Sequence, residues 1–131
     1  MASFLSPILR APGVSHTLVH QGTGAVVADR VVGAFDSASR RKGLLGLDSM
    51  PAGEALIIAP SNAVHTFFMR FAIDVAFAAR DGRIVKVCSA VPARRLCIAW
   101  RGFAAIELAA GSLSAAGVTV GDFVCVNPAS R

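Results

Sequence analysis

One predicted β-hairpin constrains the fold of this chain more than any other segment. Two apolar runs, at residues 73–79 and 84–88, flank a polar stretch that contains Asp81-Gly82. Because Asp-Gly tolerates the positive φ angles of a type I′ turn, the sequence predicts two antiparallel strands joined by a two-residue loop. In that register Ala78 faces Val85, and both faces of the hairpin are apolar. A polar side chain within the hairpin is therefore expected to be at least partly buried.

The other predicted elements are short and are separated by frequent turn signals. A helix is predicted from Asp36 or Ser37, whose side-chain oxygens can accept from the first-turn amides, through Leu45 or Leu47. A helical turn over residues 111–117 ends at a glycine. Further strands are predicted at residues 25–32, 55–59, 104–109 and 123–126.

This pattern predicts a mainly β protein. Many short strands with one or two short helices indicate a single compact barrel- or sandwich-like domain. We expect residues 1–17 to form a flexible N-terminal arm and residues 18–131 to form the single β-rich domain. The apolar fraction of 54% and the charged fraction of 16% exclude a disordered chain and a coiled coil.

Composition and charge limit the cellular location and the classes of partner that we expect for this chain. No run of about 18 apolar residues is present, and the N-terminus lacks a secretory signal, so the cytoplasm is the expected location and no membrane partner is expected. The 13 basic and 8 acidic residues give a net charge of +5. This charge suits an anionic ligand or an ordinary solvated surface, and its scatter among few aromatics disfavours nucleic acid.

Several residues with possible chemistry have simpler explanations. Cys88, Cys97 and Cys125 form no CxxC motif and sit among apolar neighbours, which predicts buried thiols in a reducing compartment. His16 and His20 lack a third ligand, so no metal site is predicted. The basic run at residues 40–42 is either a phosphate site or an exposed helix face. No nucleotide or cofactor motif occurs, and no cofactor is predicted.

Four polar residues interrupt apolar runs and are the candidate ligand-binding residues. Asp74 and Glu107 lie in predicted strands, and a buried carboxylate needs a partner or several hydrogen bonds. Arg70 interrupts an aromatic run and is the candidate partner, with His65 five residues earlier. The four residues form either a structural ion-pair network or a ligand pocket with Arg70 as anion clamp and His65 as donor or base. The remaining alternative is that they never meet.

The chain resembles the bacterial and archaeal family called domain of unknown function 192. The resemblance covers about residues 25–126 and is most specific in one central block. The matching stretches are Arg40-Arg41-Lys42-Gly43-Leu44-Leu45, Ala55-Leu56-Ile57-Ile58, His65-Thr66-Phe67-Phe68-Met69-Arg70-Phe71-Ala72-Ile73-Asp74-Val75-Ala76-Phe77, Asp81-Gly82-Arg83-Ile84-Val85, Val91-Pro92, Ile106-Glu107-Leu108-Ala109-Ala110-Gly111 and Gly121-Asp122. Many members carry Phe-Trp-Met-Lys-Asn-Thr where this chain has residues 67–72, so a role for that Asn or Thr does not transfer.

The resemblance implies a compact, mostly β domain with small helices, and it implies no activity. Three functions are compatible with the sequence. The first is a module that binds a small polar or anionic ligand through His65, Arg70, Asp74 and Glu107. The second is a small hydrolase or lyase with His65 as base and Asp74 or Glu107 as acid or orienter. The third is a protein-interaction domain or homodimer with an exposed apolar patch.

Overall fold

The computed structural model describes residues 2–129 and shows a mainly β protein, which confirms the predicted fold class. These residues contain ten strands and three short helices, one helix more than the upper expectation. The helices are α1 (Ser6–Arg10), α2 (Ser37–Lys42) and α3 (Ser112–Ala115). The strands are β1 (His16–His20), β2 (Val26–Ala28), β3 (Arg30–Ala34), β4 (Glu54–Ile58), β5 (Ala63–His65), β6 (Ile73–Ala78), β7 (Ile84–Val91), β8 (Leu96–Ile98), β9 (Ala104–Ala109) and β10 (Val124–Pro128).

Three sheets are layered on one another, and they are not closed into a barrel. The central sheet has five strands in the order β3-β4-β9-β6-β7. On one face of the central sheet, the three-stranded sheet β10-β1-β2 contributes to an apolar core. On the other face, the two-stranded sheet β5-β8 contributes to a second apolar core. Every residue of β6 is buried because this strand is covered on both faces.

The parallel pair β3 and β4 determines where α2 lies. Parallel neighbours cannot be joined by a tight hairpin, so the chain crosses over the sheet between them and forms α2 on the way. The Asp36 carboxylate accepts from the Ser39 backbone N–H at 2.8 Å and so caps the helix. This bond holds the pKa of Asp36 below its ordinary value. Gly43, with φ of 48°, ends the helix, so the predicted extension to Leu45 or Leu47 is wrong.

Residues 25–32 form two strands instead of the predicted single strand. β2 pairs with β1, whereas β3 pairs with β4 in the central sheet. The backbone N–H groups of Asp29 and Arg30 both donate to the Gly53 carbonyl, at 2.9 and 3.1 Å. The chain therefore passes from one sheet to the next at Asp29.

The β6–β7 hairpin is present, but its turn differs from the prediction. The Ala79 N–H donates to the Arg83 carbonyl and the Gly82 N–H donates to the Ala79 carbonyl, both at 2.9 Å, so the loop has three residues. Gly82 has φ of 89°, as in a type I turn followed by a G1 bulge. Ala78 consequently faces Ile84 instead of Val85.

Part of the segment over which the sequence predicts a flexible arm, residues 1–17, contacts the rest of the domain. Leu5 and Ile8 are buried in the first core, and the Phe4 N–H donates to the Arg80 carbonyl at 2.7 Å. Met1, Ser130 and Arg131 lie outside the described residues. Within residues 2–129, no helix has the length and apolar character that crossing a membrane requires.

Candidate functional site

Glu107 is a buried carboxylic acid without a complete set of partners. It lies in the middle of β9, where Leu56 of β4 and Val75 of β6 flank it, and only 4% of its surface is exposed. Its Oε2 atom is buried and makes no hydrogen bond with the described residues. Burial raises the pKa of Glu107 to about 7, because the charged form loses its hydration. The side chain is therefore largely protonated in mildly acidic solution.

An open cavity of about 150 Å³ lies against Glu107 and is called the Glu107 cavity below. One wall comes from the C-terminal half of α2 and the turn after it, residues 40–45. His65 and Met69 line another part of the wall, with Ser61 nearby. The crossover between β3 and β4 thus forms one wall of the cavity, and the central sheet positions Glu107.

Positive charge lies on one side of this cavity, at the end of α2. Arg41 and Lys42 are exposed at the end of α2 and take part in no ion pair within residues 2–129. These two residues are called the basic rim below. Arg40 is held differently, because its Nη1 donates to the Phe35 carbonyl at 2.8 Å. The cavity therefore combines a protonatable group at its wall with free cations at its edge.

The four residues predicted to form one cluster do not all come together. Asp74 pairs with Leu108 across β6 and β9, whereas Glu107 pairs with Val75. Directly paired residues lie on the same face of a sheet and successive residues alternate, so Asp74 and Glu107 lie on opposite faces. Glu107 and His65 line one cavity, and Asp74 belongs to the opposite layer.

Asp74 is saturated by backbone hydrogen bonds. Its Oδ1 accepts from the Ala90 N–H at 2.8 Å, and its Oδ2 accepts from the Gly111 and Leu113 N–H groups at 3.1 and 3.0 Å. Asp74 therefore joins β6 to β7 and to the first turn of α3. This arrangement satisfies its charge without Arg70, which was the expected partner.

Arg70 lies on the surface and faces a different carboxylate. Its Nη1 is 2.6 Å from Asp48 Oδ1, and the two side chains are 61% and 85% exposed. Arg70 does not line the Glu107 cavity. Asp48 lies in an irregular stretch of the sequence with no periodic signal, so no sequence pattern predicts its pair with Arg70.

The other two histidines form contacts within the fold, and one of the three cysteines is buried. His16 Nε2 lies 3.1 Å from the Pro7 carbonyl, and His20 Nε2 lies 2.9 Å from Asp122 Oδ2. Across the described part of the chain, no group of three or more His, Cys, Asp or Glu residues could hold a metal. Cys97 is buried, and desolvation raises the pKa of its thiol to about 11.

The fold and the cavity define a layered β domain with a buried acid beside a basic opening. The family model for "Uncharacterized ACR", domain of unknown function 192, matches residues 18–126. The chain belongs to this family, which confirms the resemblance drawn from the sequence. No curated protein matches the sequence.

Two solved structures share the fold. A protein of unknown function from Novosphingobium aromaticivorans DSM 12444 is 20% identical, with a TM-score of 0.72 over 84% of this chain and 82% of that one. A protein from Sinorhizobium meliloti 1021, named a "putative transcription regulator", is 19% identical, with a TM-score of 0.73 over 85% of this chain and 91% of that one. At these identities the likeness concerns the fold.

Proposed function

We propose that this protein binds a small polar or anionic molecule in the Glu107 cavity. One observation carries the proposal: Glu107 lines an open cavity, and its buried Oε2 atom has no hydrogen-bond partner among the described residues. Leaving a buried polar atom unsatisfied costs about 1–3 kcal/mol, and a ligand that donates to it or accepts from it removes that cost. A ligand group that forms a hydrogen bond with Glu107 would therefore contribute favourably to the free energy of binding.

The chemistry of the cavity narrows the class of ligand. A protonated Glu107 both donates and accepts a hydrogen bond, so it suits a hydroxyl, amide or carboxyl group. The basic rim, Arg41 and Lys42, suits an anionic group at the opening. A cavity near 150 Å³ holds about one benzene-sized molecule. A short carboxylate or a small phosphorylated alcohol fits these requirements.

The four candidate residues take separate roles in this proposal. Glu107 and His65 contact the ligand, since both line the cavity. Asp74 accepts from three backbone amides and so ties β7 and the start of α3 to β6. Arg70 stays outside the cavity in its pair with Asp48. The sequence predicts that Arg70 binds an anionic group of the ligand. In this proposal the basic rim binds that group instead.

A thermal-shift screen of the full chain tests the proposal. The probes are inorganic phosphate, acetate, lactate, glycerol phosphate and glycine, each at millimolar concentration. A ligand that binds the native state raises the melting temperature. We expect at least one probe to stabilise the wild type and the Arg70→Ala variant, and to lose its effect in Glu107→Leu and His65→Ala.

Two results would contradict the proposal. One is a probe whose effect disappears in Arg70→Ala and persists in Glu107→Leu, because binding would then lie outside the cavity. The other is no shift with any probe while Glu107→Leu simply raises the melting temperature. In that case Glu107 is a buried acid that weakens the fold and holds no ligand of the tested class.

A second candidate function is acid–base catalysis at the same cavity. The observation that favours it is the raised pKa of Glu107, about 7, in a cavity that His65 also lines. A group that titrates near the working pH transfers protons efficiently. Hydrolysis of nitrophenyl acetate and nitrophenyl phosphate should then depend on both residues. Equal rates for the wild type and the His65→Ala variant would remove this candidate.

A further inference from the structure

Large exposed apolar side chains lie along the two-stranded sheet and beyond both of its ends: Phe67 and Phe68 follow the end where His65 pairs with Leu96, and Trp100 follows the end where Ala63 pairs with Ile98. Phe68 is 86% exposed, Trp100 is 84% exposed and Leu96 is 60% exposed, and Phe67 is also exposed. These four residues are called the aromatic face below. Leu96 of β8 pairs with His65 of β5, and the Phe67 ring lies 5.9 Å from the His65 ring. The two strands therefore hold Phe67 and Leu96 near each other.

The backbone presents Phe68 in an uncommon way. The Met69 N–H donates to the Thr66 carbonyl at 3.1 Å, which closes a turn with Phe68 at its third position. Phe68 has φ of 67°, in the left-handed region that favours glycine or asparagine and that bulky residues rarely adopt. A large apolar side chain thus occupies a position that favours glycine, and it points into water. Backbone strain of this kind is characteristic of functional sites.

Arginines accompany the aromatic face. Arg94 and Arg95 precede Leu96 and Arg101 follows Trp100, and all three are exposed and outside the ion pairs of residues 2–129. The Arg95 N–H donates to Thr66 Oγ1 at 2.9 Å, so this loop is fixed next to the turn that carries Phe68. No Asp or Glu occurs between residues 82 and 106. The exposed side chains that residues 94–101 contribute to this surface are therefore apolar or positively charged.

We propose that the aromatic face docks on an anionic lipid bilayer. Trp and Phe favour the membrane–water interface, and arginines near an anionic leaflet add electrostatic attraction. A hydrocarbon surface accommodates aliphatic Leu96 as well as the aromatic rings, whereas a nucleic acid base stacks on the rings alone. The net charge of +5 favours the same partner. The expectation of no membrane partner rested on the lack of a spanning segment, and surface docking needs none.

The sole tryptophan of the chain provides the test, because Trp100 lies on the aromatic face. Vesicles of phosphatidylcholine with phosphatidylserine are compared with vesicles of phosphatidylcholine alone, by Trp100 emission and by co-sedimentation. We expect a blue shift and co-sedimentation only with the anionic vesicles, and both should weaken as salt is added.

Two variants separate docking from folding. Phe68→Gly relieves the left-handed backbone and should keep the melting temperature near that of the wild type, while vesicle binding falls about tenfold or more. Arg94→Glu should also weaken binding. The matched controls are Val120→Ser, another exposed apolar residue, and Arg10→Glu, an exposed arginine on α1. Both controls should leave binding nearly unchanged.

Several outcomes would overturn the proposal. Equal binding to both vesicle types, or full binding by Phe68→Gly, would refute it. The absence of any Trp100 shift with anionic vesicles would do the same. A shift with single-stranded oligonucleotides but not vesicles would assign the face to nucleic acid. A shift on raising the protein concentration alone would assign it to a second copy of the chain. The Glu107→Leu variant should dock normally, so this result is independent of the cavity.

Discussion

Replacing Glu107 with glutamine should change how the stability of the protein depends on pH. The folded state keeps the Glu107 proton up to a pH of about 7, whereas the unfolded chain releases it near the ordinary value of 4.5. Between these values the native state binds more protons, so the free energy of unfolding of the wild type falls as pH rises. Glutamine resembles the protonated acid and does not titrate. The Glu107→Gln variant therefore lacks this loss of stability.

The size of the effect follows from the shift in pKa. An increase from 4.5 to about 7 is roughly two and a half units, which corresponds to about 3 kcal/mol. The variant and the wild type should be similarly stable near the lower value. Above the higher value the variant should be more stable by about 3 kcal/mol. Burial of the carboxyl group is the sole cause of the shift, so no ion pair complicates the comparison.

Urea unfolding followed by far-UV circular dichroism measures this difference. The free energy of unfolding is determined for both proteins at a series of pH values and constant ionic strength. The Glu54→Gln variant is the matched control, because Glu54 is the other glutamate of the chain and pairs at 3.1 Å with exposed Arg30. Its effect should stay below about 1 kcal/mol. A Glu107→Gln difference that does not grow with pH would refute the reasoning.

Two further predictions concern the scaffold and use the same unfolding measurement. Asp74→Ala should lower the free energy of unfolding by about 3 kcal/mol or more, because three backbone N–H groups lose their acceptor; a loss below about 1 kcal/mol would show that water replaces the carboxylate. Gly82→Ala should cost about 2 kcal/mol or more, because its Cβ would overlap the Val124 carbonyl oxygen. Gly46→Ala is the control, because Gly46 has a similar φ of 87° but no atom within 4 Å of the position of an added Cβ. It should lower the free energy of unfolding by about 1 kcal/mol, and equal losses for Gly82→Ala and Gly46→Ala would contradict the overlap argument.

The parts of the fold that the sequence predicts are those with a local cause. The β6–β7 strands follow from two apolar runs on either side of a turn, and α2 begins where Asp36 can cap it. The burial of Asp74 and Glu107 is confirmed, with 1% and 4% exposure, because apolar neighbours surround each of them along the chain. Local residues also indicate the turn at Gly82, although they do not settle the loop length.

The division of the predicted cluster has a non-local cause. Asp74 and Glu107 are 33 positions apart, and only the register between β6 and β9 places them on opposite faces. A shift of one residue in that register would have placed them together. The backbone N–H donors that satisfy Asp74 come from β7 and from the start of α3, and the Asp48 partner of Arg70 comes from an irregular segment. A periodic pattern in the sequence does not predict contacts of this kind between distant residues.

The crossover helix α2 has a consequence for how such proteins can evolve. It supplies the basic rim, Arg41 and Lys42, and yet none of its residues is buried. Substitutions along it disturb little packing, whereas Glu107 sits in a strand flanked on both sides. Substitutions at Arg41 and Lys42 can therefore change the charge beside the cavity without rebuilding the interior. The surface charge of such a domain can vary while its strand architecture stays the same.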